Sequence, residues 1–148
     1  HPRDVGGGGG GTRGRVRILG IGVDLVEVPR VQRALARWGE RFVARIFTES
    51  ERLRAGEGPN RVLRLAARFA AKEAVMKALG TGRKGVSWRE IEVTNDPAGR
   101  PRVRLWGRAA RVARKKRIRE VHVSLTHGHE YAAAFAVAEG EEPREGEG

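Results

Sequence analysis

A helical segment with a carboxylate on its apolar face constrains the rest of the chain. From Asn60 to Leu79, apolar residues recur at the three- and four-residue steps of an α-helix: Val62, Ala66, Phe69, Met76 and Leu79. Glu73 falls on that stripe, four residues after Phe69 and three before Met76. Burying a carboxylate without a partner costs several kcal/mol, so Glu73 needs a cation. Lys77, one helical turn further on, can supply it as an ordinary i,i+4 ion pair. A metal ion can supply it as well, and the segment alone leaves both open.

With 148 residues the chain is long enough for one domain with a real core. No apolar run approaches the length of a membrane span. The absence of cysteine removes disulfide and thiolate chemistry and fits a reducing, cytoplasmic setting. Residues 1–14 carry a run of glycines and read as a flexible extension without a signal-peptide pattern, and residues 140–148 read as a disordered acidic tail. The folded part is expected over 15–139. A net charge of +12 calls for an anionic partner: nucleic acid, an acidic protein or a phosphorylated ligand. Ten of the basic residues lie between Arg100 and Arg119 with no acid among them.

Val16 to Val23 reads as a strand ending at Asp24, followed by a helix from Pro29 to about Trp38. Gly39 permits a bend into a further helical piece, Glu40 to Phe47. Thr48-Glu-Ser-Glu51 has the spacing of a capping box and opens a short helix. Asn60 and Gly80 suit the two ends of the long helix. Ile91–Thr94 and Arg102–Trp106 alternate around Asn95–Pro101 as a hairpin. A small amphipathic helix, Gly107–Lys116, follows. Val121–Thr126 and Tyr131–Ala138 make a second hairpin. The order predicts an α+β domain with a mostly antiparallel sheet packed on the long helix.

Asp24 follows glycines at alternate strand positions, Gly20 and Gly22, which clear one sheet face for a backbone or ligand to approach. An aspartate at a strand end is also a common turn former or cap. Asp24 and Glu73 together offer two hard oxygen ligands from separate elements, a set that suits Mg²⁺ with a phosphate-bearing substrate; no zinc-ligand spacing is present. On the strand His122-Val-Ser-Leu-Thr126, alternation puts His122, Ser124 and Thr126 on one face. That face can line a phosphate site or simply meet solvent, and His127 is equally ambiguous. Arg30, Arg33, Arg37, Arg41 and Arg45 form a stripe opposite Val31, Leu35, Trp38, Phe42 and Ile46 if the segment stays helical. Arginines in that number suit a docking face for carboxylates or phosphates.

These pieces occur in a recognisable order: Gly20-Ile-Gly-Val-Asp24, Phe47-Thr-Glu-Ser-Glu51, Arg68-Phe-Ala-Ala-Lys-Glu-Ala74 with Lys77, Gly80-Thr-Gly82, and Val121-His-Val-Ser-Leu-Thr-His127. Together they resemble holo-[acyl-carrier-protein] synthase, the small bacterial type of 4′-phosphopantetheinyl transferase. The resemblance implies transfer of the phosphopantetheine arm of coenzyme A to a serine of apo acyl carrier protein, releasing adenosine 3′,5′-bisphosphate. It implies Mg²⁺ on Asp24 and Glu73, and Lys77 stabilising the bridging and leaving phosphate oxygens. Glu73, directly or through a metal-bound water, would deprotonate the serine, with Asp24 as the alternative. Arg68, Lys72, His122, Ser124 and His127 would touch coenzyme A, Arg68 and His127 at its 3′-phosphate. Arg30, Arg33 and Arg37 would meet the acidic recognition helix of the carrier. The resemblance further implies a homotrimer with active sites between subunits, and no membrane or nucleic-acid partner.

The rival is a basic nucleic-acid-binding domain, which accounts for the charge. Bases are held by exposed aromatics, yet aromatic content is 5%, and Trp38, Phe42, Phe69 and Phe135 fall on expected core faces. That reading also leaves Asp24 and Glu73 without a task.

Overall fold

The computed structural model describes residues 15–142; the expected glycine-rich extension and the last six residues of the acidic tail lie outside them. The core is organised by one long helix. It belongs to an antiparallel α+β fold with the order β1 (Val16–Glu27), α1 (Val28–Trp38), α2 (Glu40–Ile46), α3 (Glu49–Ala55), α4 (Arg61–Leu79), β2 (Ile91–Asn95), β3 (Pro101–Leu105), α5 (Gly107–Lys115), β4 (Ile118–His127) and β5 (Tyr131–Glu141). A single 3₁₀ turn, Trp88–Glu90, precedes β2. β5 is the centre of a three-stranded sheet ordered β1-β5-β4, and β2 and β3 form a separate hairpin.

α4 is buried on more than one side. Leu65, Ala70, Ala71, Ala74 and Val75 have no exposed surface, whereas Val62 and Phe69 of the expected stripe are only partly buried. The difference follows from its position: the sheet covers one flank, and α1, α3 and β2 cover others, so a central helix is apolar around most of its circumference. Alternate alanines of β5 (Ala132, Ala134, Ala136 and Ala138) supply the flat inner face on which it lies.

The glycines of β1 set how close that approach is. A Cβ on Gly22 would lie 2.0 Å from the carbonyl oxygen of Ala74, and one on Gly20 would lie 2.0 Å from that of Ala78. The space they clear is therefore taken by the backbone of α4. Asp24 is next in the same inward series. It sits inside the strand, paired with Ala134, because the ladder with β5 continues to Glu27 and Tyr131. The expected strand end at Asp24 is corrected accordingly, and with it the reading of Asp24 as a turn former.

Gly39 (φ +60°) separates α1 from α2 as expected. Thr48 and Glu51 make the predicted capping box. α4 ends at Gly80 in the left-handed region, with Thr81 N–H donating to Met76 O at 3.1 Å; Gly80-Thr-Gly82 is thus a helix terminus. Asn60 precedes α4 without a side-chain cap. Two aromatic placements differ from expectation. Trp38 is 52% exposed, with the Arg37 guanidinium 4.9 Å over its ring, and Phe135 is 63% exposed on the outer sheet face. Trp38 falls in the last turn of α1, where the Gly39 bend takes the chain away from the core. Phe135 has the outward parity of β5. β5 itself runs to Glu141, two residues past the expected domain limit.

Candidate active site

Parity on β1 and the turn of α4 bring Asp24, Glu73 and Lys77 to one end of the strand–helix contact. Asp24 and Glu73 both line a cleft of about 280 Å³ with Arg30, Phe42, Phe69 and Arg83. Their side chains are 16% and 11% exposed. Burial pushes the Asp24 carboxyl above its ordinary value, and the negative charge of Glu73 pushes it further; Lys77 and Arg83 partly offset both. Two poorly hydrated carboxylates lining one cleft could hold a cation, by charge and by donor type.

Of the two partners left open for Glu73, Lys77 is not the one it pairs with. Lys77 Nζ lies 3.5 Å from Asp24 Oδ1 and donates to the Val23 carbonyl at 2.8 Å, reaching across to β1. Glu73 is held instead by Arg83, whose Nε and Nη2 approach the same oxygen, Oε2, at 2.9 and 2.7 Å. Arg83 sits between Gly82 (φ +59°) and Lys84-Gly85 (φ +80°), beyond the end of α4. No helical spacing links it to Glu73, so no pattern in the sequence pointed to it.

Lys72, expected to touch coenzyme A, is placed elsewhere. Its side chain is fully buried with Nζ 2.8 Å from Glu51 Oε1, donating also to the carbonyls of Trp88 (3.0 Å) and Ile91 (2.5 Å). Burial lowers its pKa, and Glu51 opposes that shift. Consecutive residues on a helix point about 100° apart, so Glu73 can face the cleft while Lys72 faces the interior. Glu51 closes this knot: Oε1 accepts from Thr48 N–H at 2.9 Å and Oε2 from Val93 N–H at 2.7 Å. Its capping-box role was legible in the sequence; its burial and its second role were not.

Arg68 and His127 come together, lining a smaller cavity with Arg64, Asn95, Pro101 and Leu125. Arg68 is 8% exposed, and its guanidinium donates to Asn95 Oδ1 at 3.1 Å while its buried Nε has no partner. Burial lowers its pKa, and Glu51 offsets this in part. A buried, under-compensated guanidinium favours an anion at its open side.

His122 and Ser124 line neither of these two cavities and lie on the outer sheet face with Thr126. His122 Nε2 is 2.8 Å from Glu139 Oε1, and Glu120 stands beside it. Register places Ile21, Val23 and Leu25 of β1 across from Val137, Phe135 and Ala133 of β5 on the same face. Ile21, Val23, Leu25 and Phe135 are all exposed. Arg30, Arg33 and Arg37 project from α1 to solvent, and none of them is paired with a carboxylate among the described residues.

The family model described as 4′-phosphopantetheinyl transferase superfamily matches residues 20–136. The holo-[acyl-carrier-protein] synthase of Desulforudis audaxviator is 52% identical over 125 residues, covering 83% of this chain and 94% of its own. The crystal structure of holo-[acyl-carrier-protein] synthase from Neisseria meningitidis superposes with a TM-score of 0.74 at 37% identity, over 82% of this chain and 98% of that one. A holo-(acyl-carrier-protein) synthase from Bacillus anthracis, in complex with CoA (3′,5′-ADP), superposes with a TM-score of 0.68 at 38% identity, over 84% and 98%.

Proposed function

The chain belongs to the 4′-phosphopantetheinyl transferase superfamily, among its holo-[acyl-carrier-protein] synthases, and from that premise we propose how its cleft works. The enzyme transfers the 4′-phosphopantetheine arm of coenzyme A to a serine of apo acyl carrier protein, giving the holo carrier and adenosine 3′,5′-bisphosphate. The observation that carries the assignment of the active site is the convergence of Asp24 and Glu73, from β1 and α4, in a cleft flanked by cations.

Asp24 and Glu73 would hold Mg²⁺, and their hard oxygens and mutual repulsion fit such an ion. When bound, it supplies charge neutralisation and orientation of the coenzyme A diphosphate for in-line attack. Glu73 accepts the proton of the carrier serine, with Asp24 as the alternative. Lys77 is half exposed and fixed at the rim by the Val23 carbonyl. From there its ammonium stabilises charge on the departing phosphate oxygens. Arg68 and His127 take the 3′-phosphate, a reading supported by the buried guanidinium whose Nε has no partner. Lys72 is reassigned from substrate contact to structural anchor.

Arg30 lines the mouth of the same cleft, and with Arg33 and Arg37 it presents a positive face for the acidic helix of the carrier. The exposed apolar strip on the outer sheet face supports a homotrimer, each active site completed by a second copy. In that assembly His122 and Ser124 of one copy reach coenzyme A bound by another. We assign the reaction to the cytoplasm, where coenzyme A and its carrier meet; no helix among the described residues is long and apolar enough to cross a membrane.

Glu73→Gln tests the metal assignment. The variant keeps the shape of the side chain and should fold with an unchanged circular-dichroism spectrum. It should lose Mg²⁺-dependent turnover by about 10²-fold or more, the scale of removing one charged group that acts in the transition state. Wild-type turnover would remove Glu73 from the metal site.

A further inference from the structure

Arg83 is the one cation of the cleft contributed by a loop. Its guanidinium grips a single oxygen of Glu73 through two nitrogens while its side chain is 69% exposed. It also lies 5.5 Å over the ring of Trp88, and that ring stacks on Phe69 at 4.9 Å. The Trp88 carbonyl is pinned by Lys72 Nζ. The platform under Arg83 is therefore rigid, and the arm above it is free on its solvent side. Its loop carries Gly80, Gly82 and Gly85, all with positive φ, so it can rearrange without disturbing α4. Lys77 differs: it is rooted in the helix and tied to the β1 backbone.

We propose that Arg83 is a displaceable counter-cation. It holds Oε2 of Glu73, an oxygen that a divalent cation shared with Asp24 would draw on, and it releases that oxygen when the cation binds. The inference rests on the assignment of Asp24 and Glu73 as the metal pair. Its consequence is a protein whose carboxylate pair stays compensated between turnovers, at the cost of weaker metal binding in the absence of coenzyme A. Arg83 is thus a positioning residue that acts through Glu73.

The test is titration of Mn²⁺ alone into the full chain, with free Mn²⁺ read by electron paramagnetic resonance. Arg83→Ala should tighten Mn²⁺ binding by about three- to fivefold, the scale of an ion pair with one exposed partner. Arg83→Lys should fall between the two, since it keeps the charge and loses the second donor. In EDTA, Arg83→Ala should melt below the wild type, and saturating Mn²⁺ should close that gap. Unchanged or weaker binding in Arg83→Ala, or a gap that persists in Mn²⁺, would make Arg83 a fixed strut and overturn the proposal. If the wild type binds Mn²⁺ and Glu73→Gln does not, the metal pair stands whatever Arg83 does. If the wild type binds no Mn²⁺ even with coenzyme A present, the metal pair falls and the proposal falls with it.

Discussion

Lys72 and Glu73 are sequence neighbours with opposite assignments. The lysine is wholly buried against Glu51, and the glutamate opens on the cleft with Arg83 and Asp24. Removing one partner of a buried pair leaves the other charge without compensation, which costs about 3–5 kcal/mol. Lys72→Met should therefore lower the unfolding free energy by about that amount in urea titration. Adding Glu51→Gln should recover part of the loss, because the orphaned charge is then gone. A Lys72→Met variant as stable as the wild type would contradict a structural role. The carboxylate at Glu73 was legible because a charge on an apolar stripe breaks the pattern. Arg83 was not, because a loop residue follows no period. Lys72 misled for a related reason: within a motif, adjacency in sequence does not say which side of the helix a residue occupies.

At the level of elements, the site depends on the distance between β1 and α4, and Gly20 and Gly22 set that distance. A methyl group at Gly22 would meet the Ala74 carbonyl oxygen at 2.0 Å and the Lys77 Cβ at 2.9 Å. Backbone cannot yield locally as a side-chain tip can, so α4 must shift as a body. Gly22→Ala should cost about 3 kcal/mol or more, the upper range for overpacking. It should also weaken Mn²⁺ binding, since Asp24 and Glu73 ride on the two elements being forced apart. Wild-type melting together with wild-type Mn²⁺ affinity would show that the close contact does not position the pair. Alternate glycines before an aspartate were readable as a cleared sheet face. What fills the clearing is set by the fold: the clearing holds helix backbone, with Asp24 at its edge. The end of β1 was misplaced for a comparable reason, since its last residues are strand only because β5 continues to pair with them. Arg30, Arg33 and Arg37 kept their expected face because α1 is a regular helix up to the bend at Gly39. The bend divides them from Arg41 and Arg45.

The whole molecule presents an outer sheet face that a lone domain of this size would leave wet. Val23 and Phe135 are paired across β1 and β5, with Ile21 and Leu25 on either side. Exposed apolar patches of this kind mark interaction surfaces. Phe135→Glu should leave the fold intact, because the side chain already points outward, and should shift the proposed trimer to monomer in sedimentation. Turnover should fall with it if each active site borrows residues from a second copy. A trimer that survives the substitution would move the interface elsewhere. The sequence placed Phe135 in the core because a large aromatic in a strand is usually buried; its outward parity on β5 decides otherwise. The charge excess, which also suited nucleic acid, supplies the arginines of α1 and the guanidinium beside His127.

The most direct measurement is the intact mass of apo acyl carrier protein after incubation with the enzyme, coenzyme A and Mg²⁺. The expected result is a gain of one phosphopantetheine arm, abolished by EDTA and restored by added Mg²⁺. A gain that survives EDTA would contradict the metal pair at Asp24 and Glu73. No gain on a competent carrier would contradict the transferase itself.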